Sequence, residues 1–490
     1  MTDVERRELA PGLSISRVLT GLWQVADLER DGTDLDPAAT AAHLEPYAAA
    51  GFTTFDMADH YGSAEVISGH FAHQHANPSS LQRLTKWVPT PGPCTAEEVR
   101  EAVERAMDRL QTERIDLLQF HAWNYADPSW LDTLFHLQEL QQEGLIHHLG
   151  VTNFDTAHLR IALTSGLPIV SNQVCFSLLD QRARGAMTDL CGEFGVQLLA
   201  FGTVAGGFLT ERWLEVPEPD PEKLETWSQM KYFRFVREAG GWDIFQRLLR
   251  TVYTIAQRRG VSMANVACRH ILDQESVAGI IVGARLGRSE HIDDNRRLFE
   301  FALTEEDRRE LQSALDDLHG IPGDCGDEYR KPPFLTASGD LSHHLDDIPA
   351  PFTPRSMPSG RTLVMSGTPW EDIASYCRAV RHGDRILVSG TTATHGDRTI
   401  GVDDPAAQTH FILDKIEGAL QSLGASLQDV LRTRIYVRRA EDCEPIARAH
   451  GERFRDVMPA NTLVEAKLIG DDYLVEIEAE AVLRIDRREP

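Results

Sequence analysis

The chain has 490 residues, more than one hydrophobic core accommodates, and this length predicts two or three domains. Its composition is globular, 42% hydrophobic and 25% charged, and a formal charge of -26 argues against a nucleic-acid or anionic-membrane partner. Seven scattered cysteines without a CxxC pair, a charged opening octet and the lack of a long apolar run lead us to expect reduced thiols, no secretory leader, no membrane span and a cytoplasmic location. His147-His148 and His343-His344 are adjacent doublets rather than metal-ligand spacings, so no metal is expected.

Residues 1–20, broken at Pro11-Gly12, predict a hairpin closing the bottom of whatever follows. Thr20 to Val25 predicts a first strand and Ala38 to Ala50 a helix. Thr53-Thr54-Phe55-Asp56 is then an apolar strand that places a carboxylate at its end, with Tyr61 on the loop beyond. Leu84 to Val88 releases Lys86, and Asp116 to Phe120 releases His121. Between them, Thr95 and Glu98 form a capping box ahead of an apolar stripe from Val99 to Leu110, a helix whose stripe is core. Helices over Leu131–Gly144 and Arg184–Phe194, and strands near His148–Phe154, Ile169–Val174, Val196–Phe201 and Val277–Gly283, continue the alternation. The sum is an eight-strand (β/α)8 TIM barrel, in which polar groups at successive strand ends converge at one mouth.

Asp56, Tyr61, Lys86 and His121, in that order, resemble the catalytic tetrad of the aldo-keto reductases. The chemistry accounts for the set. A carbonyl that takes hydride at carbon needs a proton at oxygen, and a free phenol with a pKa of about 10 holds its proton tightly. A lysine beside the tyrosine is expected to lower that pKa, with the aspartate orienting the lysine and the histidine aiming the carbonyl oxygen. Trp23 and Trp87, at strand exits, are candidates to line an apolar substrate pocket.

The resemblance runs from about residue 13 to 318 and implies a nicotinamide cofactor, NADPH before NADH. By that resemblance Thr152, Asn153 and Gln173 hold the nicotinamide carboxamide, and Phe201 takes the place of the tyrosine that stacks under the ring. Gly202 stands where serine is usual. The segment from Gly283 to Asn295 resembles the adenosine-phosphate loop, in which Arg285 and Arg288 would grip a 2′-phosphate. An excursion between Leu209 and Gly260 reads either as a lid over substrate or as an extra helical pair on the outer ring. Thr304 caps a helix expected to close the first domain near residue 320.

Recurring prolines over 321–360 predict an extended linker. From 361 to 490 the pattern restarts: strands near Asp384–Gly390, Thr433–Val437, Thr462–Leu468 and Val475–Ala481, and helices after Asp404 and from Asp442, predict a smaller two-layer α+β domain. Tyr376, Ser389-Gly390, Arg434 to Val437 and Pro459-Ala460 resemble the Rid/YjgF reactive-intermediate deaminases, whose fold is chorismate-mutase-like. That family hydrolyses enamines and imines in clefts between the subunits of a trimer. Tyr376, Gly390 and Glu476 fall at cleft positions, but the arginine that grips a substrate carboxylate is replaced by Asn461. The resemblance therefore implies an assembly or binding domain on a trimer, or multiple of three, rather than a deaminase. The whole chain is expected to reduce a small carbonyl or imine-derived substrate. A cofactor-sensing scaffold and a bifunctional reductase–deaminase are the alternatives.

Overall fold

The computed structural model describes residues 3–30, 32, 35–288, 291–346 and 349–483. A hairpin of β1 (Arg6–Ala10) and β2 (Leu13–Ser16) precedes eight parallel strands: β3 (Val18–Gly21), β4 (Thr54–Asp56), β5 (Gln82–Trp87), β6 (Ile115–Phe120), β7 (Ile146–Thr152), β8 (Ile169–Cys175), β9 (Gln197–Phe201) and β10 (Val277–Gly283). These close into a barrel, with β10 pairing β3. The hairpin plugs the bottom, where Leu9, Leu13 and Ile15 pack with Leu84, Leu117 and Leu199. A plugged bottom leaves the C-terminal strand ends as the open face.

Local chemistry sets the helices. Thr95 and Glu98 make the expected reciprocal cap on Ala96–Leu110, and Thr304 caps Glu305–Leu315. Two expectations fail for local reasons. β3 stops at Gly21, so Trp23 begins a helix, Trp23–Arg30, instead of ending a strand. The Ala38–Ala50 segment divides into Pro37–Ala41, a 3-10 turn Ala42–Leu44 and Glu45–Ala49, because Pro46 has no N–H to continue a single helix.

Residues 321–346, expected as an extended linker, form a strap across the barrel mouth. Its short helix Asp327–Arg330 buries Glu328 and Arg330. Arg330 donates to the carbonyls of Ala122 (2.7 Å) and Asn153 (2.6 Å), so two loop ends of the barrel are tied by a residue far along the chain.

In the C-terminal domain, β11 (Arg355–Ser356), β12 (Arg361–Val364), β13 (Ala379–His382), β14 (Arg385–Thr391), β17 (Val430–Val437), β18 (Ala460–Glu465) and β19 (Val475–Val482) form one sheet, with β15 (Thr394–His395) and β16 (Arg398–Thr399) a separate hairpin. The sheet order is β11-β12-β13-β14-β19-β17-β18, and helices Pro405–Ser422 and Cys443–Phe454 form the second layer. This is the expected α+β architecture, with β11 to β13 and the small hairpin added. The alternation of Val475, Ile477, Ala479 and Ala481 with three glutamates buries one face of β19.

The two domains share a core. Helix Pro405–Ser422 packs between its own sheet and barrel helix Thr156–Thr164. At Gly418 a Cβ would lie 2.4 Å from the Ala126 carbonyl oxygen, so the approach of the barrel loop requires glycine there. His158 bridges Asp155 (2.6 Å) and Asp414 (3.0 Å), Asp414 also takes Arg453 (2.5 Å), and Arg160 pairs with Asp404 (2.7 Å).

Candidate active site

Parallel register brings the polar strand ends together. Asp56 pairs across to Leu84, and Lys86 lies two residues further up β5, beside β6 and the His121 loop. The Lys86 ammonium reaches back to both Asp56 carboxylate oxygens (2.9 and 2.8 Å) and to the Met57 carbonyl (2.7 Å). All three of its donors are thereby used, and Nζ sits 4.9 Å from the centre of the Tyr61 ring. Gln173 donates to Asp56 (2.7 Å) and to Gln119 (3.1 Å), so its amide nitrogen props the tetrad carboxylate.

The expected lowering of the Tyr61 pKa is not what this geometry produces. Burial, reinforced by Asp56, Tyr329 and Asp59, holds the phenol well above its usual value. Lys86 cannot offset this, because its charge is matched by the bidentate Asp56. Burial also pulls Lys86 below its usual value, against Asp56. His121 is held well below its usual value by burial and by the Arg330 guanidinium, so the ring is neutral. Its Nδ1 lies 3.4 Å from the Thr152 carbonyl, while its Nε2 is buried with no partner among the described residues. With the single proton on Nδ1 the Nε2 accepts; with it on Nε2 the ring donates, and the long Thr152 contact gives way.

These four residues face a cavity of about 620 Å³ at the barrel mouth. Trp23 lines it, edge-on to Tyr61 (4.9 Å between ring centres) and tilted against Trp227 (5.7 Å). Trp87 does not: it is buried in the core beside Phe120 (6.0 Å), since its side chain alternates away from that of Lys86. Trp123 takes the expected role instead, edge-on to His121 (4.4 Å) and anchored by its indole N–H on the Pro89 carbonyl (2.7 Å).

Thr152, Asn153, Gln173, Phe201 and Gly283 also line the cavity. Asn153 has a left-handed backbone (φ 58°), and its side-chain oxygen is buried with no partner among the described residues, an acceptor that suits a carboxamide N–H2. Phe201 offers a flat apolar face. Gly202 replaces serine for a steric reason: its φ is +75°, and a Cβ would lie 2.1 Å from the Tyr232 hydroxyl. The residues present therefore fit a nicotinamide group. Arg285, Arg288 and Asn295 are not in the cavity wall; Arg285 is half-buried and Arg288 exposed, and the segment between Arg288 and His291 lies outside the described residues. Of the excursion after β9, helix Trp227–Glu238 supplies Trp227, Lys231 and Tyr232 to the cavity, while Trp242–Arg259 packs on the outer ring. Tyr329 and Thr336 enter from the strap. Only the aromatic content of the excursion hinted at Trp227; Tyr329 carried no signal, since its segment reads as linker.

In the C-terminal domain Arg378 donates to the Gly390 carbonyl (2.8 Å) and lies 6.0 Å from the Tyr376 ring centre, and the Glu476 carboxylate approaches Gly390 so closely that a Cβ there would clash with it. Burial and the neighbouring Glu478 raise the Glu476 pKa. Asn461 is not with them. It sits on β18, two strands from β19, and its amide donates to Thr433 (2.9 Å).

Comparison with known proteins agrees with this geometry. The aldo/keto reductase family model matches residues 17–316, well over half of the chain. The chain belongs to the aldo/keto reductase family. This reductase is an NAD(P)H-dependent oxidoreductase by that membership, and the Endoribonuclease L-PSP family model matches residues 350–483, the Rid/YjgF-like region. Pyridoxal reductase of Arabidopsis thaliana is 27% identical over 54% of this chain and 74% of its own length. Protein tas of Escherichia coli is 27% identical over 52% and 83%. An uncharacterised Streptomyces coelicolor protein is 39% identical over 24% of this chain and 89% of its own. Among solved structures, a Gluconobacter oxydans glycerol dehydrogenase superposes with a TM-score of 0.54 at 21% identity, covering 66% of this chain and 98% of that one, which supports the fold.

Proposed function

We propose that the protein is an NADPH-dependent reductase of a small carbonyl or imine-derived compound, working at the mouth of the barrel. The observation that carries this is the Lys86–Asp56 pair beside Tyr61, with the unpartnered Nε2 of His121 in the same cavity. Asn153, Thr152 and Gln173 would hold the carboxamide and Phe201 the ring face; the cofactor, when bound, supplies the hydride. Tyr61, kept protonated by burial, is the acid that meets the oxygen as it gains charge. His121, with its proton on Nε2 once a carbonyl is present, aims that oxygen at Tyr61. Lys86 and Asp56 fix the polar floor, and the tryptophan walls exclude water.

Arg285 and Arg288 support the preference for a 2′-phosphate, being cations on the loop next to the cavity-lining Gly283. The C-terminal domain is read as an assembly module in a trimeric, cytoplasmic enzyme. Its edge strand β18 is exposed along nearly its whole length, as a surface awaiting another copy would be. Turnover of an aldehyde panel with NADPH tests the reading. Reduction in the wild type supports it; cofactor binding without turnover of any aldehyde would favour a sensor instead.

A further inference from the structure

Outside the tetrad, the cavity holds a second buried amine–phenol pair. Lys231 comes from helix Trp227–Glu238 and Tyr329 from the strap, and both line the cavity. Lys231 Nζ lies 2.8 Å from the Tyr329 hydroxyl oxygen and 3.6 Å from Glu328, within 4.9 Å of the Phe201 ring centre. An ammonium only donates, so the Tyr329 oxygen is the acceptor and its own proton must point elsewhere. Among the described residues no acceptor for that proton is found. The Tyr329 ring stands edge-on to His121, with ring centres 5.9 Å apart. The Tyr329 side chain thus shares the cavity wall with His121, beside the place where the reacting oxygen would sit.

The charges nearby decide what it can meet. Glu328 also pairs with Arg182 (2.8 Å), and Arg182 with Asp180 (2.7 Å), so two cations face two carboxylates. Glu29 adds a further carboxylate to the cavity wall. Among the described residues of the cavity wall no positive charge is left unmatched for an anionic substrate group; Arg330, the further cation near His121, lies outside the wall on the Ala122 and Asn153 carbonyls.

We propose that Tyr329, fixed by Lys231, is a specificity-determining residue that donates to a neutral oxygen on the carbon beside the carbonyl, which makes 2-hydroxy- and 2-oxo-aldehydes or ketones the substrate class. This rests on the reductase reading above, in which Tyr61 and His121 address the carbonyl oxygen. A site built to bond such an oxygen discriminates strongly against the analogue that lacks it.

The test compares lactaldehyde with propanal, which differ by one hydroxyl, in the full-length protein with NADPH. The wild type is expected to favour lactaldehyde at least about tenfold in kcat/KM, and Tyr329→Phe, which keeps the ring, should reduce that ratio to about one to three. A wild type indifferent to the hydroxyl, or a Tyr329→Phe variant that loses both substrates equally, overturns the proposal. So does a preference for glyoxylate over lactaldehyde, which would assign the pair to an anion. A wild type that reduces neither aldehyde defeats the reductase reading itself, an outcome distinct from active but indifferent enzyme.

Discussion

The barrel mouth and the C-terminal cleft are both built of polar groups on strand ends, yet they spend those groups differently. At the barrel mouth the charges are paired and buried while the residues proposed to react, Tyr61 and His121, line an open cavity. In the C-terminal sheet the polar groups on the strands around Glu476 bond one another. Arg434 takes Glu478 (3.0 Å) and Glu480 (2.8 Å), Tyr436 donates to Glu478 (3.0 Å), and Asn461 donates to Thr433. A polar group already satisfied by a neighbour gains little from a ligand, whereas an unpartnered one gains a full hydrogen bond. The contrast is the one the proposed function requires, with the chemistry assigned to the barrel mouth and assembly to the C-terminal sheet.

Four variants sharpen or break that contrast. The largest effect is expected at Lys86. Lys86→Met leaves Asp56 buried without its cation, which costs roughly 3–5 kcal/mol of stability for a broken buried pair. It should also lower kcat by about a hundredfold or more, since about 2.7 kcal/mol of barrier corresponds to that factor. Steady-state kinetics with thermal melts would separate the two losses. Retention of wild-type kcat would show that the Lys86–Asp56 pair does not support the acid.

Next comes the seam between the domains. Burial alone would lower the His158 pKa, but Asp155 and Asp414 outweigh it and raise it. Both aspartates are lowered, against burial: Asp155 chiefly by His158, Asp414 chiefly by Arg453 and then His158. The raised histidine contributes its full stability below about pH 6.5 and loses it as pH climbs through the raised value. The lowered aspartates contribute above about pH 4 and lose stability as pH falls. The seam is therefore strongest between these limits. Asp414→Asn should destabilise the protein by roughly 3 kcal/mol near pH 6. Between pH 6 and pH 9 its melting temperature should fall less than that of the wild type. Parallel pH curves for both proteins would show that His158 does not carry the seam.

A smaller effect is expected on the cofactor loop. Replacing Arg285 and Arg288 by alanine should weaken NADPH binding about tenfold, roughly one charge-assisted contact, and NADH hardly at all. Fluorescence titration of both cofactors reads this directly, and equal losses would mean that the arginines only shape the loop. The smallest effect is expected at Asn461→Arg. Across β17, residue 461 stands opposite Ala479, three residues along β19 from Glu476, so within one chain the two are roughly 14 Å apart. The full chain should still fail to accelerate hydrolysis of 2-aminoacrylate. Hydrolysis gained by this single change would show a cleft intact but for its anchor.

Much of the barrel was legible because its signals are local. Thr95 and Glu98 announce a helix within four residues, and apolar runs ending in Asp56, Lys86 and His121 announce strands with outward polar ends. What stayed hidden depends on distant partners. Tyr329 and Arg330 lie in a proline-rich stretch with no periodicity, and their burial follows from carbonyls at Ala122 and Asn153 that only the fold brings near. Trp87 was misassigned because adjacent strand residues face opposite sides, and Lys86 already occupied the cavity side. The Tyr61 pKa departs from expectation because burial, which the sequence does not show, outweighs a lysine whose charge Asp56 already matches.

The most direct measurement is a single turnover of Tyr61→Phe with bound NADPH and a good aldehyde, followed at the cofactor absorbance alongside its binding titration. The account predicts cofactor affinity within about threefold of wild type and hydride transfer slowed a hundredfold or more, about 2.7 kcal/mol. Transfer at more than about a tenth of the wild-type rate, under about 1.4 kcal/mol, would contradict Tyr61 as the acid.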